Sequence, residues 1–268
     1  MANSSTTTNA GAQRIEQAIT GAPGKAALMP YVMGGYPDHD TSLAIGHACI
    51  DAGADLLELG VPYSDPLADG PVIQAAGTVA LAGGATLSSV LEIGRELAAR
   101  APVVVMTYAN IVYARGPERF CRQLGEAGIS GVIVPDLPPE EAAELREHAD
   151  AAGLALVPLI APTTPDERLA LVGGHARGFL YTVAVTGITG ERDGSDHYAQ
   201  VLKRARRATS TPVALGFGIS SPDHVRAAAR AGADGVIVAS KLIRIAGGDD
   251  PVGGVRAAVA ELAGGLDR

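Results

Sequence analysis

One glutamate stands in the middle of an otherwise apolar segment. Glu58 lies in Leu56-Leu57-Glu58-Leu59-Gly60, which has the composition of a strand covered on both faces. An ionised carboxylate is rarely buried without a partner, because removing it from water is costly, and apolar surroundings can move its pKa. Glu58 is therefore a candidate general acid and base. The structural alternative is a carboxylate that is ion-paired across the mouth of the fold.

Two further carboxylates follow in a loop. Asp65 and Asp69 belong to Tyr63-Ser64-Asp65-Pro66-Leu67-Ala68-Asp69-Gly70-Pro71. Asp-Pro and Asp-Gly are turn signals, so by themselves these residues indicate only loop structure. The loop must pass beside Glu58, however, and a second carboxylate there could accept a hydrogen bond from an N–H group of a substrate.

A third feature is typical of phosphate binding. Gly216-Phe217-Gly218-Ile219-Ser220-Ser221 ends a predicted strand and opens a predicted helix, where free backbone N–H groups and the helix dipole favour an anion. Ala239-Ser240 follows the next strand and completes the pair of loops that commonly binds phosphate in barrels. A plain turn remains the alternative for both segments.

Other chemistries are not supported by the residues. The chain has three lysines, Lys25, Lys203 and Lys241, and none lies in a predicted strand, so a Schiff base is not expected. The histidines and the two cysteines lack ligand spacing, so no metal site is predicted, and both cysteines are expected to be buried and reduced. The net charge of −8 argues against nucleic acid, and the basic run 203–207 is interpreted as a solvated helix face.

Eight apolar runs, separated by helical patterns, must position these residues. Several helices end in Ala-Gly just before the next run, where glycine can adopt the left-handed conformation that closes a helix. Repeated right-handed βαβ units predict a single-domain α/β fold, the (β/α)8 or TIM barrel, whose active site lies at the C-terminal ends of the strands. An open doubly wound sheet is the alternative. The predicted strands are Ala27–Val32, Leu56–Gly60, Val103–Thr107, Val132–Pro135, Ala155–Leu159, Gly178–Val183, Val213–Gly216 and Val236–Ala239.

The barrel is expected to occupy residues 13–268, after a disordered N-terminal leader at residues 1–12. That leader has neither a basic region nor an apolar core, so it does not match a signal peptide. No apolar stretch reaches 18 residues, so no membrane span is expected, and a cytoplasmic location is predicted. A Gly-rich segment after the sixth strand, Thr186–Asp196, is predicted to be a mobile lid.

Together these motifs resemble the tryptophan synthase alpha subunit family. The most specific motif is the run from Leu57 to Pro71, and further matches extend along nearly the whole chain. They include Pro30-Tyr31-Val32, Thr107-Tyr108-Ala109-Asn110, Pro135-Asp136-Leu137-Pro138, Gly187-Ile188-Thr189-Gly190 and Gly216-Phe217-Gly218-Ile219-Ser220.

The resemblance implies retro-aldol cleavage of indole-3-glycerol phosphate to indole and glyceraldehyde 3-phosphate. Glu58 would move protons at the indole ring carbon and the neighbouring hydroxyl, and Asp69 would stabilise the charge on the indole nitrogen. The other implied substrate-binding residues are Tyr31, Tyr181, Thr189, Gly190, Gly218, Ala239 and Ser240.

The resemblance also implies a partner. This would be a beta subunit that carries pyridoxal phosphate and forms an alpha-beta-beta-alpha tetramer, while the alpha chain itself needs no cofactor. Its contact surface would comprise Pro62, Asp65, Pro66, Leu67 and Asn110.

Two positions depart from the family pattern. Val185 stands where many relatives carry arginine, which puts the chemistry of lid closure in doubt, and Ala239 stands where glycine is common. Three functional alternatives remain open. The chain could be a stand-alone indole-3-glycerol-phosphate lyase, or a non-catalytic barrel that activates a partner enzyme. A phosphate-binding barrel isomerase is the third, although it gives no reason for the pair Glu58 and Asp69.

Overall fold

Parallel strands and helices alternate along the chain in a computed structural model, which describes residues 9–184, 194–216 and 218–267. The described strands are β1 Ala27–Met33, β2 Leu57–Gly60, β3 Val103–Met106, β4 Gly131–Ile133, β5 Ala155–Leu156, β6 Leu159–Ile160, β7 Leu180–Val183, β8 Val213–Gly216 and β9 Gly235–Val238. The described helices are α1 Ala10–Thr20, α2 His39–Asp51, α3 Pro71–Ala82, α4 Leu87–Ala98, α5 Ala109–Arg115, α6 Pro117–Glu126, α7 Ala143–Ala151, α8 Asp166–Gly174, α9 Gly194–Ala208, α10 Pro222–Arg230, α11 Ser240–Ala246 and α12 Pro251–Gly264.

The strands form one parallel sheet in the order β5-β4-β3-β2-β1-β9-β8-β7-β6. The two outermost strands, β5 and β6, are consecutive parts of one segment of the chain. In this segment the Val157 N–H donates to Val132 O of β4 (2.9 Å), and Pro158 O accepts from the Tyr181 N–H of β7 (3.0 Å). The sheet therefore closes on itself, which confirms the predicted single-domain TIM barrel and not the open sheet.

Residues along a strand alternate between two cores. Ala27, Met29 and Tyr31 of β1 face the barrel interior, whereas Leu28 and Val32 pack with the surrounding helices. The same alternation places Leu56 in the interior core and Leu57 and Leu59 in the outer one. Because side chains alternate with a period of two, Glu58 points into the barrel.

Most predicted strand ends differ from the structure by one or two residues, and two differences are larger. The fifth predicted strand, Ala155–Leu159, is divided into β5 and β6, because Pro158 has no N–H to continue the ladder. The leader was expected to reach residue 12, but α1 begins at Ala10. The N-cap residue of α1 is Asn9, whose side chain accepts a hydrogen bond from Ala12 N (2.9 Å) and donates one to Leu154 O (2.7 Å). These bonds hold the start of α1 against the residue that precedes β5. Residues 1–8 lie outside the described part of the chain.

The two cysteines and the basic run 203–207 are both placed by the structure. Cys49 and Cys121 are buried free thiols, as predicted. The basic run lies on α9. Arg204 Nη2 is 2.7 Å from Asp166 Oδ1, and Arg206 Nη2 is 2.7 Å from Asp234 Oδ1, so two of its arginines form ion pairs within the protein.

The helices α3 and α4 are together long and apolar enough to be compared with a membrane span. In the described ranges no single helix is long and apolar enough to cross a membrane, although α3 and α4 together pass by length and composition despite a bend of 108°. Both helices bury one face against the protein core, for example at Ile73 and Val90.

Candidate functional site

A cavity of about 560 Å³ lies at the C-terminal ends of the strands. It brings together seven of the residues that the sequence singled out, which come from five different strands or the loops that follow them. These are Tyr31, Glu58, Asp69, Tyr181, Gly218, Ala239 and Ser240. The parallel sheet explains this convergence, since every strand ends at the same rim.

Glu58 is buried in the wall of this cavity. It lies opposite Tyr31 of β1 and Val104 of β3, and only 5% of its surface is exposed. Its Oε2 atom has no hydrogen-bond partner among the described residues. Burial, and secondarily the charge of Asp69, raises the pKa of Glu58 to about 8. Near neutral pH the side chain can therefore hold a proton and release it, as a general acid and base must.

The loop that carries Asp69 is held at the rim by hydrogen bonds to Tyr108 and to Gln74 of α3. The Ala68 N–H donates to the Tyr108 hydroxyl (3.2 Å), and Gln74 Nε2 donates to the Asp69 carbonyl oxygen (2.8 Å). Burial raises the pKa of Asp69, while a hydrogen bond from the Tyr108 hydroxyl lowers it. Tyr108 thus favours the ionised form of Asp69 against the cost of desolvation.

Two tyrosines approach glycine backbones at the same rim. A Cβ atom at Gly60 would collide with the hydroxyl of Tyr31, and one at Gly216 would collide with the hydroxyl of Tyr181. Burial and the nearby carboxylates raise the pKa of both phenols, so each stays protonated. The two rings give the cavity an aromatic lining beside Glu58.

Gly218 and Ala239, which follow two neighbouring strands, line another part of the cavity. Their N–H groups donate to no acceptor within the described part of the chain, and the Ser240 hydroxyl lines the cavity next to them. Gly218 has a φ of 76°, which favours glycine, whereas the φ of Ala239 is negative, at −118°. Alanine at 239 also retains its backbone N–H.

Comparison with known proteins agrees with this geometry. The family model described as "Tryptophan synthase alpha chain" matches residues 18–261. The chain belongs to this family.

Curated tryptophan synthase alpha chains are similar over most of their length. The chain from Gluconacetobacter diazotrophicus is 52% identical over 223 residues, covering 82% of this chain and 81% of the relative. The chain from Prochlorococcus marinus strain MIT 9313 is 50% identical over 226 residues, covering 83% and 82%.

Solved structures of tryptophan synthase share the fold. One from Mycobacterium tuberculosis has a TM-score of 0.87 at 34% identity and covers 95% of this chain and 99% of its own. The alpha-beta complex from Pyrococcus furiosus, an α2β2 assembly, has a TM-score of 0.84 at 37% identity, covering 90% and 98%.

Three residues of this alpha chain were given no role from the sequence. Tyr108 was recognised only as part of a family motif, although its hydroxyl contacts the Asp69 loop. Lys241 and Arg244 line the cavity as well. Helical spacing could have found Arg244, because it follows Ser240 by four residues, which is about one turn of α11.

The residues predicted to meet a partner are not equivalent in the structure. Pro62 is buried, whereas Asp65 is exposed and Leu67 is 88% exposed, an unusual position for a large apolar side chain. Pro66 is half-buried between them. Pro62 therefore supports the loop from inside instead of offering a contact.

Asn110 is linked to the same loop. Its Nδ2 donates to the Tyr63 hydroxyl (3.2 Å), and the Tyr63 ring stacks on Tyr108 with centroids 5.1 Å apart. A continuous set of contacts therefore joins the exposed Asn110 to the Asp69 loop.

The predicted lid lies mostly outside the described part of the chain. Thr189, Gly190, Val185 and most of the expected lid fall outside the described residues, as does Phe217. Among the residues that are described, no group of three or more His, Cys, Asp or Glu side chains could hold a metal ion.

Proposed function

We propose that this chain cleaves indole-3-glycerol phosphate to indole and glyceraldehyde 3-phosphate, as the alpha component of a tryptophan synthase. The observation that carries the proposal is Glu58, a buried carboxyl whose Oε2 has no partner among the described residues and whose pKa is raised to about 8. It shares a cavity with a second carboxylate and with residues whose backbone N–H groups have no acceptor within the described ranges.

The proton transfers can be carried by one side chain. Protonated Glu58 gives its proton to the indole ring carbon that bears the glycerol phosphate chain, and the ring becomes an indolenine cation. The Glu58 carboxylate then removes the proton of the side-chain hydroxyl next to the ring. As the aldehyde forms, the carbon–carbon bond breaks and its electrons return to the ring, which releases indole and leaves Glu58 protonated again.

Asp69 is proposed to stabilise the charged intermediate. Protonation of the ring carbon places positive charge on the indole nitrogen, and a carboxylate that accepts its N–H lowers the energy of that state. This role needs the ionised form, which the hydrogen bond from Tyr108 favours. Tyr31 would pack against the indole ring, and Tyr181 would line the pocket near Glu58.

The phosphate is proposed to bind at the Gly218 and Ala239 N–H groups and at the Ser240 hydroxyl. N–H groups that have no acceptor among the described residues suit an anion when their residues line one cavity, and no acidic side chain is adjacent to them in sequence. Gly190 would add a further N–H, and Thr189 would contact Asp69 over the bound substrate. Both assignments rest on the family resemblance.

A beta subunit is the proposed partner. It would carry pyridoxal phosphate, take up the indole and form an alpha-beta-beta-alpha tetramer in the cytoplasm, while the alpha chain works without a cofactor. The exposed Asp65, Leu67 and Asn110, with half-buried Pro66, are the proposed contact surface, and Pro62 would shape it from within.

The direct test follows indole release from indole-3-glycerol phosphate, with and without a tryptophan synthase beta subunit. Release that increases when the beta subunit is added is expected. Full turnover without it, and no complex by gel filtration, would instead favour the stand-alone lyase. No release in either condition, with a stimulated beta subunit, would favour a non-catalytic activator and contradict the proposal.

A further inference from the structure

One wall of the cavity carries two cationic side chains on a short helix. Ser240, Lys241 and Arg244 of α11 all line the cavity. Among the described lining residues, Lys241 is the one lysine and Arg244 is the one arginine. Arg244 lies one helical turn after Ser240, so the two side chains share a face of α11.

The two cations are held differently. Lys241 Nζ lies 3.0 Å from Glu261 Oε2, and its side chain is mostly buried, so a carboxylate already balances its charge. Arg244 is exposed and makes no ion pair or hydrogen bond with the described residues. Its charge is thus available to a molecule in the cavity.

The carboxylates of the cavity increase the need for such a charge. Glu58 and Asp69 line the same space and repel an anionic substrate whenever they are ionised. Backbone N–H groups supply only partial charges, which act over a short range. A full positive charge at the rim acts over longer distances and is weakened by salt.

We propose that Arg244 is a specificity-determining residue that favours a doubly charged phosphate monoester over an uncharged substrate. Its guanidinium attracts and orients the phosphate group next to Ser240, while the N–H groups of Gly218 and Ala239 fix the phosphate in place. The inference rests on the proposed function for the position of the phosphate. The inference goes beyond the proposed function because Arg244 lies outside the two segments, 216–221 and 239–240, that were proposed to hold the phosphate.

Binding can be measured without turnover. Calorimetric titration of the full chain with glycerol 3-phosphate, at low and at high salt, compares wild type with Arg244→Gln, Arg244→Lys and Arg95→Gln. Arg95 is the matched control, because it is also exposed, lies in the last turn of α4 and is absent from the cavity lining. Circular dichroism checks that each variant folds.

We expect Arg244→Gln to raise the Kd about fivefold at low salt and less at high salt, as for one exposed charge pair. Arg244→Lys should recover most of the affinity, and Arg95→Gln should bind as wild type does. In turnover, Arg244→Gln should raise KM for the phosphorylated substrate and leave kcat unchanged.

Three results would overturn the inference. These are equal affinity of wild type and Arg244→Gln, an equal loss in Arg95→Gln, and no binding of glycerol 3-phosphate by the wild-type chain. The first two leave the proposed function intact, because indole release is measured separately. Absence of indole release would contradict the proposed function even if Arg244 binds the phosphate as expected.

Discussion

The hydroxyl of Tyr31 occupies the space that a Cβ atom at Gly60 would need. The two residues lie near the ends of β1 and β2, which pair in parallel and place Tyr31 opposite Glu58. The absence of a side chain at 60 therefore determines where the Tyr31 ring lies in relation to the candidate catalytic carboxyl.

Substitution of that glycine should move the ring. We expect Gly60→Ala to destabilise the fold by about 2 kcal/mol, as overpacking in a core does, and to raise KM for the indole substrate. Gly174→Ala is the control, since a Cβ there meets no atom within 4 Å. The double variant with Tyr31→Phe should recover part of the stability. Urea unfolding that shows no difference between the two glycine variants would contradict the packing argument.

Removal of the proton carrier should abolish the chemistry. Glu58→Gln keeps the size of the side chain but cannot exchange the proton, so indole release should fall by about a hundredfold or more. Binding of glycerol 3-phosphate should stay within a few-fold of wild type. Glu96→Gln, at an exposed position of α4, serves as the control. Turnover at about a tenth of wild type or better would remove Glu58 from the proposed role.

The raised pKa of Glu58 should be visible in stability. Its pKa is about 8 in the folded protein against 4.5 for an ordinary glutamate, so between these values the folded state binds a proton that the unfolded chain releases. The contribution of Glu58 to the free energy of unfolding is therefore largest at low pH and falls as the pH rises from about 4.5 to about 8.

Glu58→Gln lacks this dependence. The difference in the free energy of unfolding between Glu58→Gln and wild type should therefore shift in favour of the variant by about 1 kcal/mol or more when the pH is raised from 5.5 to 8.5. The measurement is denaturant unfolding at both pH values, with Glu96→Gln as the reference. A constant difference across this range would show that Glu58 is not buried as a neutral acid.

Tyr108 should control the ionisation of Asp69. Because its hydrogen bond lowers the Asp69 pKa, Tyr108→Phe should raise that pKa and move the acid limb of the kcat/KM profile to higher pH. Tyr113→Phe, at an exposed site of α5, is the control. Identical pH profiles for wild type and Tyr108→Phe would argue against this link.

Backbone and hydroxyl contributions to phosphate binding can be separated. Ser240→Ala should raise KM modestly, since the N–H groups remain. Gly218→Ala should raise it more, because a φ of 76° strains alanine and turns the N–H away. Gly232→Ala controls for strain alone, since Gly232 has a φ of 98° and does not line the cavity. Equal, small effects of Ser240→Ala and Gly218→Ala would count against this site.

Local patterns in the sequence were sufficient to predict where the strands lie and to single out Glu58, Asp69 and the two Gly- and Ser-containing loops, whereas Tyr31 and Tyr181 came from the family resemblance. A buried parallel strand is a short apolar run, so Glu58 stood out as a charge where no charge is normally tolerated. The Ala-Gly helix ends were also reliable, and Gly53, Gly128, Gly153 and Gly232 all have positive φ. These signals depend on neighbours in the chain, which a sequence displays directly.

Contacts between distant segments were decided only by the tertiary structure. Asp69 and Tyr108 are separated by nearly forty residues along the chain, and nothing in their local patterns indicates that they meet. The break of the fifth strand at Pro158 depends on pairing with both β4 and β7. Arg244 belongs to the cavity because α11 packs beside β1 and α3, which places one face of that helix over the strand ends. Burial and proximity arise from the closed barrel as a whole, so they cannot be read from any one segment.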